Sequence, residues 1–359
     1  MGEQMRIGYS FWGFLGPGIT NTPDGGRSHR RTLVDGLIAA GHDIVFLQRN
    51  RDLDEAGHDL RERYRWDNGL PGIDVLFLEW RWPIPRRNTT ACGSPGHTCD
   101  LHRQDELVSW YILDRRAPAI VWDKDLQLPA GSPLRQMPGV AVCEAALAPS
   151  PGAVSLLFPV GDEELDRADP VALAAMPRPL PLVYIGNQYD RDDAFTTFFA
   201  PAAERFGHRV AGKWTRTAPW PHVNFTGRCS FPDVRELYES ALATVLLLPE
   251  RYARAGQMTQ RLFEAVLAGC LPVTPATISF STVFTPPALH ASTGRQVADC
   301  IAGLQDIAGT ARHRDLIADC LARLDTFRMS RQLRTLDQIL RRTADDCSAC
   351  PHPAPAAGR

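Results

Sequence analysis

Short apolar runs alternate with segments of helical periodicity along most of the chain, and this alternation limits the possible folds more than any other feature. In the first repeat, residues 6–10 form a strand-like run. Leu33, Leu37 and Ile38 then recur at helical spacing, and a second strand follows at 42–47. A β-α-β unit of this length predicts parallel strands joined by a right-handed crossover.

The same alternation continues in two series. Strands are predicted at 74–78, 119–122, 140–143 and 155–158, and later at 182–187, 208–211, 223–226, 243–248 and 271–274. Helices are predicted at 104–113, 195–206, 234–241, 260–268 and 312–342. Two series of this kind predict an α/β protein with two Rossmann-like doubly wound domains and a long closing helix.

The predicted boundaries follow changes in composition. We expect an N-terminal acceptor domain at 1–160, a linker at 161–180, and a nucleotide-sugar domain at 181–345 whose last helix can return to the first domain. The residues 346–359 are rich in Pro and Ala, which is typical of a disordered tail.

Bulk properties exclude several classes. The 359 residues carry a formal net charge of −2, so no general basic field attracts nucleic acid or a membrane. No apolar run approaches the ~20 residues of a membrane helix, and the start of the chain lacks a signal-peptide pattern. We therefore expect a cytoplasmic protein without a membrane partner, and the oligomeric state stays open.

The most specific motif lies at 259–269, where the sequence reads Thr-x-Arg-x-Phe-Glu-Ala-x-x-x-Gly. With it the chain resembles the GT-B glycosyltransferases, especially the CgeB-like and glycosyl transferases group 1 families. The resemblance implies a nucleotide-diphosphate-sugar donor, with UDP-sugars favoured, no required cofactor and no metal. It also implies that Glu264 accepts hydrogen bonds from the ribose, while Arg261 meets phosphate or holds Glu264.

Further donor-binding candidates follow from helix and strand ends. A helix beginning near Gln257, Met258 and Thr259 would offer free N–H groups and a partial positive charge to a diphosphate. Ligands of open α/β sheets gather at the carboxyl ends of strands. The candidates at such ends and turns are Gly25, Gly26, Gly186, Asn187, Lys213, Gly227 and Arg228.

The motif also departs from the family pattern. Many retaining members carry a second glutamate before the one that matches Glu264, but this chain has Gly256 at that place. The stereochemical outcome therefore stays open. Asp24, Glu79 and Asp123 are candidate catalytic bases, since a carboxylate that deprotonates an acceptor hydroxyl suits an inverting mechanism.

Acceptor candidates are Phe14 and three residues of an unusual Arg- and Trp-rich segment at 79–88. Phe14, Trp80, Arg81 and Trp82 suit a sugar ring, an aromatic natural product or a nucleic-acid strand. A small-molecule acceptor is favoured over DNA because the first 150 residues carry no basic excess. The other functions that remain open are an NDP-sugar epimerase, a DNA-base glycosyltransferase and a non-catalytic nucleotide-sugar binding protein.

Four residues approach a zinc pattern: Cys92, His97, Cys99 and His102. Their spacing is tighter than that of common zinc fingers, and an ordinary loop is the preferred interpretation. Cys347 and Cys350 form a single CxxC without a second pair. No metal site is therefore predicted.

Overall fold

The strands fall into two separate parallel sheets. The computed structural model describes residues 4–19 and 26–349, the last three by backbone alone. The strands of these residues are β1 (Arg6–Ser10), β2 (Asp43–Phe46), β3 (Arg65–Trp66), β4 (Val75–Glu79), β5 (Ala119–Asp123), β6 (Val140–Glu144), β7 (Val154–Ser155), β8 (Leu180–Ile185), β9 (His208–Ala211), β10 (Phe225–Gly227), β11 (Ala241–Val245), β12 (Leu271–Pro275) and β13 (His290–Ala291).

Helices cover the faces of both sheets. They are α1 (Arg27–Ala39), α2 (Arg51–Asp54), α3 (Asp100–Leu107), α4 (Asp162–Arg167), α5 (Pro170–Ala175), α6 (Asp192–Ala194), α7 (Ala200–Ala203), α8 (Asp233–Glu239), α9 (Glu250–Ala255), α10 (Gln260–Leu267), α11 (Ser281–Phe284), α12 (Gly294–Ile307), α13 (Ala311–Arg323) and α14 (Met329–Ala349). Two π-helical turns (Val108–Asp114, Phe195–Phe199) and three 3₁₀ turns (Pro133–Gln136, Pro287–Leu289, Leu324–Phe327) join them.

Both sheets are doubly wound. The first has the strand order β3-β2-β1-β4-β5-β6-β7, and the second has the order β10-β9-β8-β11-β12-β13. All of the strand pairs are parallel, and β4 and β5 are buried along their whole length because helices cover both faces. The order reverses direction between β1 and β4 and between β8 and β11, where such sheets open a crevice for ligands.

The predicted two-sheet α/β fold is confirmed, and the differences are local. Of the predicted strand 155–158, only Ser155 belongs to an observed strand, β7 (Val154–Ser155). The next residues are buried. The Leu156 N–H still donates to the Glu144 carbonyl, but the Leu156 carbonyl accepts Trp122 Nε1–H and the Leu157 N–H donates to Gln332 Oε1.

The segment predicted as a linker contains two short helices. Helix α4 begins with three acidic residues, which suit the positive end of a helix. Helix α5 begins at Pro170 after Asp169, whose carboxylate accepts the Val171 N–H. These start signals were present in the sequence, but the surrounding Ala and Pro content favoured a linker.

The helix predicted at 312–342 consists of α13 and α14, separated by the 3₁₀ turn Leu324–Phe327. The chain turns there because Phe327 is buried and the Asp325 carboxylate accepts the Arg328 Nε–H. Helix α14 returns to the first sheet and packs on α1, where Met329 contacts Gly36.

The chain leaves the first sheet at Val160 and returns to it with α14 at Arg328, and these two segments lie side by side. Val160 and Arg328 form a parallel bridge, and the Met329 N–H donates to the Val160 carbonyl at 2.8 Å. Within the described ranges, no helix has both the length and the apolar character needed to cross a bilayer.

Candidate active site

A large cleft of about 1210 Å³ lies between the carboxyl ends of the two sheets. Its N-terminal wall is formed by residues that follow β1, β4 and β5, and its C-terminal wall by residues that follow β8, β9 and β10 together with α10. Both crevices predicted by the strand order therefore open into one space.

The cleft is positively charged although the whole chain is slightly acidic. Nine Arg or Lys residues line it against five Asp or Glu residues. An excess of positive charge in a concave, partly apolar site favours an anionic ligand.

Two glycines bring the backbone close together at the end of the second sheet. A Cβ atom on Gly212, after β9, would lie 2.1 Å from the Gly186 carbonyl oxygen. A Cβ atom on Gly186, after β8, would lie 2.3 Å from Arg261 Nε. Only glycine fits at these two positions, and the floor of the C-terminal wall is therefore bare backbone.

The loops after β8 and β9 are bonded to each other beside that floor. Asn187 Oδ1 accepts the Lys213 N–H at 2.8 Å, and Gln188 Oε1 accepts the Thr215 and Arg216 N–H groups. The Lys213 side chain is exposed at the cleft. Asn187 thus shapes the loop, while Lys213 is available to an anion.

Helix α10 begins at the cleft without a side-chain cap. Thr259 occupies the N-cap position, but its hydroxyl accepts a 3.3 Å bond from Arg261 Nη1 and caps no backbone N–H. Arg261 Nε donates to the Ile185 carbonyl at 2.5 Å, which ties α10 to the end of β8. The first turn of α10 therefore offers N–H groups and a cation to the same space.

Glu264, one turn further along α10, reaches across the cleft. Its Oε1 accepts the Ser28 hydroxyl of α1 at 2.5 Å. Burial raises the pKa of Glu264, and the hydrogen bond from Ser28 and the charge of Arg261 oppose that rise. Both walls therefore meet at the carboxylate that the family resemblance assigns to the ribose.

Glu79, at the end of β4, is the centre of a buried charge network in the N-terminal wall. Its carboxylate accepts the Tyr9 hydroxyl and two Arg30 N–H groups, each at 2.8 Å, and contacts Lys124 Nζ at 2.5 Å. Although burial opposes ionisation, Arg30 and Lys124 hold the pKa of Glu79 far below its usual range. A carboxylate with this many donors is a poor proton acceptor, so the network favours a structural role.

Asp123 does not line the cleft. It is fully buried at the end of β5, and its carboxylate accepts the N–H groups of Gln127 at 3.0 Å and Leu128 at 2.6 Å. The strand end was read correctly, but the carboxylate caps the following turn and does not face an acceptor, which corrects its assignment as a base.

Three of the four acceptor candidates line the cleft, and the fourth does not. Trp80, Arg81 and Trp82 line the cleft, whereas Phe14 is fully buried, with the Arg51 guanidinium 4.8 Å from its ring centroid. Burial lowers the pKa of Arg81 to about 10, and its Nε has no hydrogen-bond partner among the described residues.

Only some of the remaining donor candidates line the cleft. Gly26, Arg228 and Gln257 line the cleft. Met258 is a buried core residue, and Gly227 is exposed but is not among the residues that line the cleft. Asp24 and Gly25 lie outside the described residues, and their assignments stay predictions.

Two residues that join the two walls, His29 and Asp125, were not among the predicted site residues. His29 lies in the first turn of α1, its Nδ1 is 3.1 Å from Gln260 Nε2, and its Nε2 has no partner among the described residues. Asp125 accepts the Tyr252 hydroxyl at 2.5 Å and lines the cleft. These pairs join residues more than 120 positions apart, and no local pattern marks them.

Burial lowers the pKa of His29 well below its usual value, and the charge of Lys124 adds to this effect. Burial raises the pKa of Asp125, against the opposing hydrogen bond from Tyr252. His29 is therefore kept neutral, and Asp125 binds its proton more tightly than an exposed carboxylate does.

Comparisons with known proteins agree with this arrangement. Residues 191–335 match the sequence model of the glycosyl transferase-like family. The β-glucosyltransferase of phage T4, in a complex with UDP-glucose, is 11% identical with a TM-score of 0.62, over 94% of this chain and 99% of its own.

Two further solved structures share the architecture. An α-glucosyltransferase in complex with UDP-glucose and DNA is 10% identical with a TM-score of 0.62, over 94% of this chain and 100% of its own. Anabaena HepE, in complex with UDP-glucose, is 9% identical with a TM-score of 0.54, over 97% of this chain and 100% of its own. No curated protein matches the sequence. The chain thus has the GT-B fold, and residues 191–335 resemble the glycosyl transferase-like family.

Proposed function

We propose that this protein is a glycosyltransferase that takes a sugar from a UDP-sugar bound to the C-terminal wall of the cleft. The observation that carries the proposal is the convergence of a bare backbone floor at Gly186 and Gly212 with the uncapped start of α10, Arg261 and Glu264. UDP is favoured because the T4, DNA-bound and Anabaena structures named above each contain UDP-glucose.

The donor's charge explains the chemistry of this wall. The diphosphate lies at the first turn of α10, where N–H groups, Arg261 and Lys213 stabilise the negative charge that grows on the leaving UDP. Glu264 accepts hydrogen bonds from the ribose hydroxyls. The acceptor approaches from the N-terminal wall, beside Trp80, Arg81 and Trp82.

Donor binding is tested by thermal shift and calorimetry with UDP-, GDP-, ADP- and TDP-sugars. A ligand at 100 times its Kd stabilises the protein by ~2.7 kcal/mol. We expect a shift with UDP-sugars that Glu264→Gln removes. Glu250→Gln is the matched control, since Glu250 is an exposed carboxylate that pairs with Arg254 on α9. Wild-type protein that binds none of the donors contradicts the proposal.

The same experiment tests whether the reaction needs a metal ion. A T4 phage β-glucosyltransferase structure contains UDP and Mn²⁺. Each donor is therefore measured with Mn²⁺ and with a chelator, and equal turnover in both supports a metal-independent reaction.

The proton acceptor is proposed to come from the N-terminal wall. His29 and Asp125 line the cleft, and His29 Nε2 has no hydrogen-bond partner among the described residues, whereas donors occupy the carboxylates of Glu79 and Asp123. Loss of general base catalysis costs about 10²–10⁴ in kcat. Either His29→Gln or Asp125→Asn should show that loss with unchanged UDP affinity, and full activity in both variants would leave Asp24 as the candidate.

Acceptor class is tested by UDP release. The favoured acceptor is a small molecule with a hydroxyl group. DNA is the second candidate, because one structure of the same fold contains DNA and the cleft carries an excess of positive charge. Duplex DNA with a hydroxyl-bearing base and a panel of small hydroxyl compounds are compared, and sugar transfer is followed by mass spectrometry. Conversion of the donor to another NDP-sugar, with no UDP released, would identify an epimerase.

A further inference from the structure

Two cysteines and two histidines converge between β4 and α3. Cys92, His97, Cys99 and His102, here called the Cys/His cluster, place one ligand atom each within 4.8 Å of one another. The four residues offer two thiols and two imidazoles, and they lie outside the charge networks of the cleft. We propose that the cluster binds one structural zinc ion.

The distances suit tetrahedral coordination. Zinc bonds of about 2.3 Å to sulfur and about 2.0–2.1 Å to nitrogen imply separations of about 3.3–3.8 Å between ligand atoms. Cys92 Sγ lies 3.0 Å from His102 Nδ1, and the His97 and His102 ring centroids are 5.6 Å apart. The ligand atoms therefore surround a space of the right size, and small adjustments complete the tetrahedron.

A hydrogen bond with the Thr90 hydroxyl selects the ligand nitrogen of His97. Its Nδ1 lies 3.1 Å from the Thr90 hydroxyl, while its Nε2 is buried and has no partner among the described residues. A donor from Nδ1 to a neighbouring oxygen fixes the tautomer that leaves Nε2 free to bind metal. The buried Nε2, which has no partner among the described residues, would gain one when zinc binds.

The chemical types of the four ligand atoms favour zinc over other metals. Thiolate and imidazole together favour zinc over magnesium or calcium, which require oxygen ligands. Each thiol gives its proton to solvent as it binds, so two thiolates neutralise the Zn²⁺ charge. Four protein ligands leave no open position, and the ion therefore has a structural role.

The need for such an ion follows from the segment that carries it. Residues 80–99 contain no helix or strand, although a structureless connection of this length is uncommon in a compact domain. Cys99 adopts a left-handed φ of +52° immediately before α3. A metal clip would fix the end of this long segment against α3, where the apolar core does not reach.

The clip is continuous with the acceptor side of the cleft. Asn88 Nδ2 donates to the Trp82 carbonyl at 3.0 Å and to Asp100 Oδ2 at 3.2 Å, and Asn88 Oδ1 accepts the Ile84 N–H. Asp100 follows Cys99 directly and lines the cleft. Zinc would thus hold the loop that presents Trp80, Arg81 and Trp82, whether or not the cleft transfers a sugar.

Metal analysis of the purified full-length chain tests the proposal. With reductant and zinc during expression, we expect about one zinc per chain by mass spectrometry of the metal content. Cys92→Ser and His102→Asn should each lose it. Cys300→Ser, on α12, and the double variant Cys347→Ser/Cys350→Ser should keep it, which separates the cluster from the CxxC near the chain end.

A second measurement covers variants that fail to fold. Wild-type zinc is removed with a chelator and replaced by Co²⁺, whose spectrum should show tetrahedral bands and sulfur-to-cobalt charge transfer. Protease cleavage within 80–102 should increase on chelation and decrease again with added zinc. Wild-type protein without zinc, a Cys92–Cys99 disulfide in freshly reduced protein, or zinc that is lost only from the tail variant would overturn the proposal.

Discussion

The two walls of the cleft are built in different ways. The C-terminal wall is mostly main chain: Gly186 and Gly212 form its floor, and the uncapped start of α10 borders it. The N-terminal wall is mostly side chain, with Glu79, Arg30 and Lys124 in one buried network. A backbone surface suits a ligand part that never changes, such as a diphosphate, whereas a side-chain surface can be altered residue by residue for different acceptors.

The largest expected effect is the loss of stability when the buried charge network of the N-terminal wall is disrupted. Glu79→Gln leaves Arg30 and Lys124 buried without their counter-charge, and removal of one partner of such a pair costs ~3–5 kcal/mol. Urea denaturation gives the free energy of unfolding. In the control Glu163→Gln, the exposed pair with Arg167 is lost and the expected change is ~0–1 kcal/mol. Equal small losses in both variants would mean that the network does not hold the wall.

A smaller effect breaks the backbone wall. In Gly212→Ala the new methyl meets the Gly186 carbonyl at 2.1 Å, and the residue has a φ of +138°. Overpacking of this kind costs ~1–3 kcal/mol, and the shifted floor should also weaken UDP binding. Gly207→Ala is the control because its nearest neighbour is 3.8 Å away. Unchanged UDP affinity in Gly212→Ala would show that the floor does not need this close approach.

The smallest expected effect is a change in how the stability of the protein depends on pH. The folded protein keeps His29 neutral, with a pKa well below the ordinary value of about 6.5, so the unfolded chain binds this proton more readily. Stability should therefore rise with pH below about 6.5 and fall on acidification. His29→Gln should lose part of this slope in denaturation measured across that range, whereas exposed His58→Gln should retain it. An identical slope in His29→Gln would contradict the effect.

The same contrast explains what the sequence could predict. The alternation of strands and helices was enough for both sheets, and the motif at 259–269 located Thr259, Arg261 and Glu264 because its residues are close along the chain. Gly212 was missed, since only the approach of β8 makes it necessary.

The N-terminal wall was harder to predict because distant segments assemble it. Glu79 and Asp123 do end buried strands, yet their partners, such as Arg30 and Leu128, come from other turns and helices. Phe14 was assigned from its aromatic character, and nothing local indicates that it is buried. The Cys/His spacing was unlike common fingers, so convergence became evident only in three dimensions.

The paired crossings at Val160 and Met329 limit how the halves of the molecule can move. Two adjacent chain segments joined by a 2.8 Å backbone hydrogen bond act as a double-stranded hinge. A single strand would allow swivelling in every direction, but a double strand resists torsion and leaves bending as the soft motion. Any movement of the two walls about this connection should therefore be a bending motion that keeps the residues facing each other across the cleft in register.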